Sequence, residues 1–509
     1  MSKPSRRLGR EELKAQKKKR KQAQDALSQK HQEEGIPRAS HSTNSNGKCS
    51  YKSADEERFA RNEVVAEQIN VFRAQLPNLL KRFSKIPDPR NPKKVKHKLP
   101  VLMVYGILSF VLQMASSRET TREMSRPMFW ANLKLIFPEL EEVPHHDTLK
   151  RVLSGIDVNE IANIHQDLIR RWIRQKKFLK YLINGRYPIA MDGTQKMTRD
   201  WLWDEDCLQR TFNKGESTEK TQYYVYVLQA NLAFADGMSI PFMSEFLSYS
   251  QGDSDRNKQD CEIKAFYRLS ERIKKAFPAL PIMVLLDGLY AKGPVMETCR
   301  KNKWQYMIVL KDDALPSVMN EFEALSELEP VNRHNRTWGG RRQHFKWANG
   351  IEYYFGRNGR KCETIHVVEC LETWEEIEKG GTTVAEKRSR HVWISSDPLN
   401  WSNVHERCNL GARARWTIET GFLIEKHQGY QYEHCFSYDW KAMIGYHHLM
   451  QLGHMFNVMA RYSRVIAARV KDLGTRGLIR FVRESISNPW LDSNWMVERL
   501  GLTIPISNG

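Results

Sequence analysis

ARARWTIETGFLIEKHQGY, residues 412–430, carries Arg415, Glu419 and Lys426 with three residues between the first two and six between the last two. On a helix each residue turns the azimuth by ~100°, so Glu419 falls about 40° and Lys426 about 20° from Arg415. One face then presents a carboxylate with a cation one turn before it and another two turns after. Carboxylate oxygens suit a hard divalent metal, and the two cations suit phosphate oxygens. That combination is what breaking or joining a nucleic-acid backbone requires. The plain alternative is a helix with ordinary surface charge pairs, so the rest of the chain has to decide.

The chain has 509 residues, with 80 Lys and Arg against 60 Asp and Glu, a net charge of +20. That length implies several domains, and a basic excess of this size points to a polyanion partner, most simply nucleic acid. The eight cysteines are scattered, with no CxxC and no Cys/His spacing of a zinc finger. They are expected to be reduced thiols in a cytoplasmic protein. The chain starts basic and polar, so no secretory signal is expected. The apolar run 99–115 is shorter than the ~20 residues of a membrane span and contains Gln113. It is read as a buried helix, with no membrane partner.

Residues 1–60 read as a basic, disordered tail. KAQKKKRKQAQ (14–24) is a dense cationic run and SHSTNSNGKCS (40–50) a polar linker. Such a tail either contacts DNA phosphates or is simply solvated. From 61 to 185 apolar residues recur at helical spacing, as in FARNEVVAEQINVFRAQLPNLLKRF (59–83), broken by DPRNPKKVKH (88–97) and resumed at HHDTLKRVL (145–153). This is an all-helical, cation-rich region, expected to bind DNA.

At 187 the texture changes. YPIAMDG (187–193) reads as a short buried strand ending at Asp192. Two further strands, 223–234 and 238–247, form a hairpin around Asp236-Gly237. A helix follows, then PIMVLLDG (281–288), a buried strand ending at Asp287, then another helix and the strand WQYMIVLK (304–311). Three strands, a helix and strand–helix–strand make an α/β layer structure. Residues 312–389 read as a mainly β insertion, and RHVWISSD (390–397) returns to core-strand texture. One long helix is expected from Asn400 through Lys426, and a basic, helical C-terminal region over 456–509.

Asp192 and Asp287 each stand at the end of an apolar strand before a glycine. Strand ends in open α/β sheets gather ligands, and glycine permits close backbone approach. Either aspartate alone reads better as a turn or helix-cap residue. Both together, with the cation-flanked Glu419, could hold two Mg²⁺ ions for in-line phosphoryl displacement.

AMDGT (190–194), VLLDGLYA (284–291) and RWTIETGFLIEK (415–426) resemble the DDE transposases of bacterial insertion sequences, whose helix motif is Tyr, two residues, Arg, three, Glu, six, Lys. Ala412 stands at the tyrosine position. DPRNPKKVKH and HHDTLKRVL resemble segments upstream of such cores. The resemblance covers roughly 187–311 and 390–430 and implies an RNase H-like catalytic core, a mixed sheet flanked by helices. Its two parts would be 186–311 and 390–455, with the β-rich insertion 312–389 between them. It implies metal binding by Asp192, Asp287 and Glu419, with Mg²⁺ as cofactor and Mn²⁺ as a substitute. It implies phosphate contacts from Arg415 and Lys426, double-stranded DNA (transposon ends and target) as partner, and a homodimer on paired ends. A metal-dependent nuclease of the same fold and a catalytically silent, transposase-derived DNA-binding protein are the alternatives.

Two further sets were weighed. Trp338, Trp347 and Tyr353 either stack on an unpaired base or pack against their neighbours. His447, His448 and His454 either bind a metal or lie in the packed face of a helix.

Overall fold

The computed structural model describes residues 10–36, 49, 51–251, 259–378 and 381–500. Most of the expected linker at 40–50, the extreme N-terminus and residues 501–509 lie outside them. Helices come first: α1 (Arg10–Glu33), α2 (Ala54–Arg73), α3 (Leu76–Phe83), α4 (Leu99–Val111), α5 (Ser117–Met124), α6 (Pro127–Ile136), α7 (His146–Leu153) and α8 (Asn159–Arg174). Next are β1 (Tyr187–Arg199), β2 (Leu208–Phe212), β3 (Lys220–Ala233), β4 (Ser239–Leu247), α9 (Glu262–Ala276), β5 (Ile282–Leu286), α10 (Gly293–Lys301) and β6 (Gln305–Val309). Then follow α11 (Pro316–Leu328), β7 (Arg333–Trp338), β8 (Arg341–Phe355), β9 (Lys361–Ile377) and β10 (Val384–Ser395). The chain ends on α12 (Trp416–His427), α13 (Trp440–Arg461), α14 (Arg464–Ser487) and α15 (Ser493–Arg499). The architecture is mixed α/β.

Two compact units divide these elements. One takes in Met1–Ser42, Asp287–Arg300 and Gln305–Ala412; the other takes in Thr43–Leu286, Lys301–Trp304 and Arg413–Gly509. In the larger unit β3 pairs antiparallel with β1 on one side and with β2 and β4 on the other. β5 joins the far edge of β1 in parallel, from Tyr187↔Ile282 to Ala190↔Leu285. The β3–β4 hairpin closes as expected at Asp236-Gly237. Gly237 takes φ +89, which glycine adopts without Cβ strain, and Asp236 Oδ1 accepts from Met238 N at 3.0 Å.

The helical core of this unit is built on α13, whose Asp439 cap accepts from Ala442 N at 2.8 Å. The apolar run at 99–115 is α4, buried nearly throughout and packed against α13. α2 contributes Phe72, stacked on Phe456 at 4.8 Å between centroids and tilted against Phe137 at 5.4 Å. Among the described residues no helix is long and apolar enough to cross a membrane.

In the smaller unit β6, β10, β9, β8 and β7 lie side by side, each neighbouring pair antiparallel. The expected boundary at 389/390 falls inside β10, which runs unbroken from Val384 to Ser395. The mainly β insertion also contains the helix α11.

Three local expectations are corrected. The tail read as disordered carries α1, because 10–33 is rich in straight-chain helix formers and opens with Glu11 and Glu12. Its C-terminal end is tied within its own unit by Lys30–Glu375 at 2.8 Å and by Glu34–Arg342 at 2.5 Å. β1 does not stop at Asp192 but continues to Arg199, and β2 adds an unforeseen edge strand. The long helix expected from Asn400 is continuous from Val404 through α12 but irregular at its start, with a π-helical turn (Glu406–Gly411) and a 3₁₀ turn (Ala412–Arg415) before α12.

Phe72 is fully buried. Phe72→Ala is expected to cost about 3–5 kcal/mol through lost burial and the residual cavity, read as a lower denaturant midpoint. A shift within error of zero would show that the α2–α13 contact does not hold this core.

Candidate active site

Asp192 lies two residues past the last parallel β1–β5 pair and opposite Gln229 of β3. It is thus where β1 loses its parallel neighbour, which is how a strand interior comes to offer a carboxylate. Asp192 Oδ1 accepts from Gly193 N at 2.9 Å. α12 lies over β1, β3 and β4 in the same unit.

The residue joining strand to helix is Arg415, at the N-terminal boundary of α12 and 6% exposed. Its Nη1 lies 3.5 Å from Asp192 Oδ2 and its Nη2 donates to Glu419 Oε1 at 2.9 Å. The guanidinium also covers the Trp416 ring at 4.6 Å. Two like-charged carboxylates around one cation would otherwise repel; a planar fork of donors lets that cation serve both. The one-turn spacing of Arg415 and Glu419 therefore survives the irregular turns before α12.

Lys426 does not stand free beside them: its Nζ pairs with Glu433 at 3.1 Å. The two cations expected to meet phosphates are thus both engaged by carboxylates. Asp287 lies in the other compact unit, directly after β5, two positions beyond Leu285 as Asp192 is two beyond Ala190. Its side chain accepts from Leu289 N at 2.9 Å and so heads the short turn Gly288–Tyr290.

A fourth carboxylate went unnoticed in the sequence. A Cβ on Gly193 would fall 2.4 Å from the Tyr226 ring and 2.5 Å from Glu262 Oε2, so any side chain here would displace Tyr226 and Glu262. Tyr226 donates to Glu262 Oε2 at 3.1 Å. Burial first, then Glu262 and Asp192, hold the Tyr226 hydroxyl above its ordinary pKa. No motif marks Glu262; it is the first residue of a helix and reaches the site only through the fold.

Beneath α12 lies a buried polar network. Glu425 is 0% exposed. Its Oε1 accepts from His454 Nδ1 at 2.7 Å and from Gln451 Nε2 at 3.3 Å, both on α13. The register shift between Gln195 and Met197 turns Lys196 inward. There Lys196 Nζ donates to Tyr432 O at 3.0 Å and sits 4.3 Å from that ring's centroid. Burial pushes the Lys196 amine down to about 8, against the opposing pull of Glu425.

The other candidates resolve toward packing. His447 is buried against Ser244 Oγ at 3.0 Å, and burial pushes the buried His448 down to about 3. His454 serves Glu425. Trp347 is buried, Tyr353 stacks on Phe355 at 5.7 Å, and Trp338 meets His405 edge-on. All eight cysteines are free thiols. Among the described residues, His145, His146 and Asp147 form a group with ligand atoms within 4.8 Å of one another. They are consecutive at the start of α7, where His145 Nδ1 accepts from Asp147 N at 3.3 Å.

Asp192 and Glu419 fit a hard cation. Both are partly open to solvent, offer only carboxylate oxygen, and already converge on one positive charge.

Residues 80–169, from α3 into α8, match the model of the family described as DDE_Tnp_1-associated. A search of curated proteins gives no match. The matched segment lies just ahead of β1 in the chain, and it points to a transposase-related protein of the DDE type.

The Lys196 amine titrates near 10.5 when unfolded and near 8 when folded. Between those values the unfolded chain binds the extra proton, so stability rises with pH across that window. Lys196→Met is expected to flatten the rise, measured as wild type minus variant in denaturant midpoints from pH 8 to 10.5. Parallel profiles would mean the amine stays charged in the fold.

Proposed function

We propose that this chain is a DNA transposase that cleaves transposon ends and joins them to target DNA by two-metal phosphoryl transfer on an RNase H-like core. The observation that carries the reading is Arg415 bridging Asp192 on a strand and Glu419 on a helix. It does so at the spacing by which the chain resembles DDE transposases, in a chain whose preceding segment matches a DDE transposase-associated family. Supporting it, β1, β3 and β4, with the short edge strand β2 between the first two, precede α9 and β5 in the chain.

In this reading Asp192, Asp287 and Glu419 would hold Mg²⁺, or Mn²⁺ in its place. Bound there, the ions supply activation of a water or 3′-hydroxyl and neutralisation of the leaving oxygen. Arg415 holds the two acids of its unit in one orientation and keeps their charges compensated. Lys426 exchanges Glu433 for a phosphate oxygen when DNA arrives, a swap between two oxyanion partners. The helical region around residues 61–185 grips duplex DNA, and two chains act on paired ends in the bacterial cytoplasm.

Labelled duplexes ending in the element's terminal repeats, incubated with Mg²⁺, are expected to give both nicked and strand-transfer products. Nicks without joined products would make the enzyme a nuclease, and bound ends with no cleavage would make it a silent DNA binder. Asp192→Asn, Asp287→Asn and Glu419→Gln are each expected to cut cleavage by on the order of a hundredfold or more while end binding persists. Full cleavage in any one removes that residue from the metal set.

A further inference from the structure

The loop that joins α3 to α4 is unusually cationic. DPRNPKKVKHK, residues 88–98, holds Arg90, Lys93, Lys94, Lys96 and Lys98 against the single acid Asp88. It is also held in place from within. Arg90 Nη2 pairs with Asp88 at 2.6 Å and donates to His97 O at 2.9 Å, while Asn91 Oδ1 accepts from Lys93 N at 3.0 Å. Facing it across a cleft of about 550 Å³ is α7, with Thr148 and Arg151. Among the described residues lining that cleft there is no carboxylate.

Of the nearby acids two are engaged by cations of the loop, while Glu141, which acts on His97, has no Lys or Arg partner among the described residues. Asp88 is taken by Arg90, Glu142 by Lys96 at 2.6 Å, and Asp147 sits with His145 and His146. Lys94 and Arg151 line the cleft, and among the described residues neither forms an ion pair, Arg151 Nε donating only to the backbone Asp147 O at 3.4 Å. Two uncompensated cations, presented by a braced loop and by a helix, hold a site ready for negative charge with little ordering left to do. The volume exceeds what one phosphate fills, and Lys93 and Lys98 continue the positive charge along the loop, so the fit is to a chain of phosphates. The whole cleft falls within the segment matched by the transposase-associated family.

We propose that this cleft grips the phosphodiester backbone of duplex DNA, giving the helical region a sequence-independent hold on its substrate. The inference rests on the transposase reading for the choice of DNA over other polyanions. The hold comes from Lys94 and Arg151, with Arg90 and Lys96 as the charged walls.

Because backbone contacts do not depend on sequence, a labelled duplex of arbitrary sequence serves as the probe. Binding to the full chain is followed by fluorescence anisotropy over a series of salt concentrations. Each lost phosphate contact lowers the slope of log affinity against log salt by roughly 0.9. Lys94→Ala with Arg151→Ala is therefore expected to reduce the slope by about 2 and to weaken binding roughly tenfold at moderate salt. Lys94→Arg with Arg151→Lys should keep both values, which separates charge from folding. Lys275→Ala, an exposed lysine on α9, should also change neither.

If the double alanine variant keeps the wild-type slope and affinity, the cleft is not the grip. Should the wild type still nick and join DNA in that case, the transposase reading stands without it. If the wild type shows no cleavage but the charge-dependent loss of duplex binding is seen, the cleft stands and the catalytic reading falls.

Discussion

A single guanidinium decides whether two carboxylates of this fold can share a neighbourhood. Arg415 is almost wholly buried, stacked on Trp416, and divides its donors between Asp192 and Glu419. In a partly desolvated setting unlike charges attract more strongly than in water, and like charges repel more strongly as well. Remove the cation and the same packing of α12 over β1 would force two negative groups together. Much of the surrounding construction works to keep α12 where this arrangement holds. The Glu425–His454–Gln451 contacts tie its far end to α13, and Lys196 secures the loop that follows it.

The arrangement has a functional logic. Under the proposed function these acids hold a divalent cation, and without the ion they need a countercharge, or their mutual repulsion would loosen the site. A bridging arginine provides it without occupying every carboxylate oxygen. Lys426 with Glu433 is a second pair of this sort, at the opposite end of the same helix. The cationic cleft at the α3–α4 loop differs in kind: among the described residues Lys94 and Arg151 form no ion pair, so binding of a polyanion by these two requires no exchange of carboxylate partners.

Local chemistry made some of this legible in the sequence and concealed the rest. Asp236-Gly237 marks its hairpin because only a turn needs that backbone freedom. The buried α4 shows as a continuous apolar run, and Arg415 and Glu419 sit one turn apart whether or not the preceding helix is regular. By contrast, β1 beyond Asp192 reads GTQKMTR, with polar residues that half-exposed and bulged positions tolerate and that no alternation test detects. α1 has no apolar stripe, so only its composition speaks for a helix. The π-helical and 3₁₀ turns before α12 leave no mark in the residue spacing. Glu262 and the pairing of Glu425 with His454 join residues 29 or more positions from their partners, and such contacts exist only after folding.

The Glu425–His454 contact carries an evolutionary corollary. Both side chains are sealed from solvent, and losing one would strand the other as an unmatched polar group inside the core. Mutational drift at either position is therefore fettered to its mate. Across descendants of this gene the two columns should covary, with an acid and an imidazole retained together or exchanged jointly for an apolar couple.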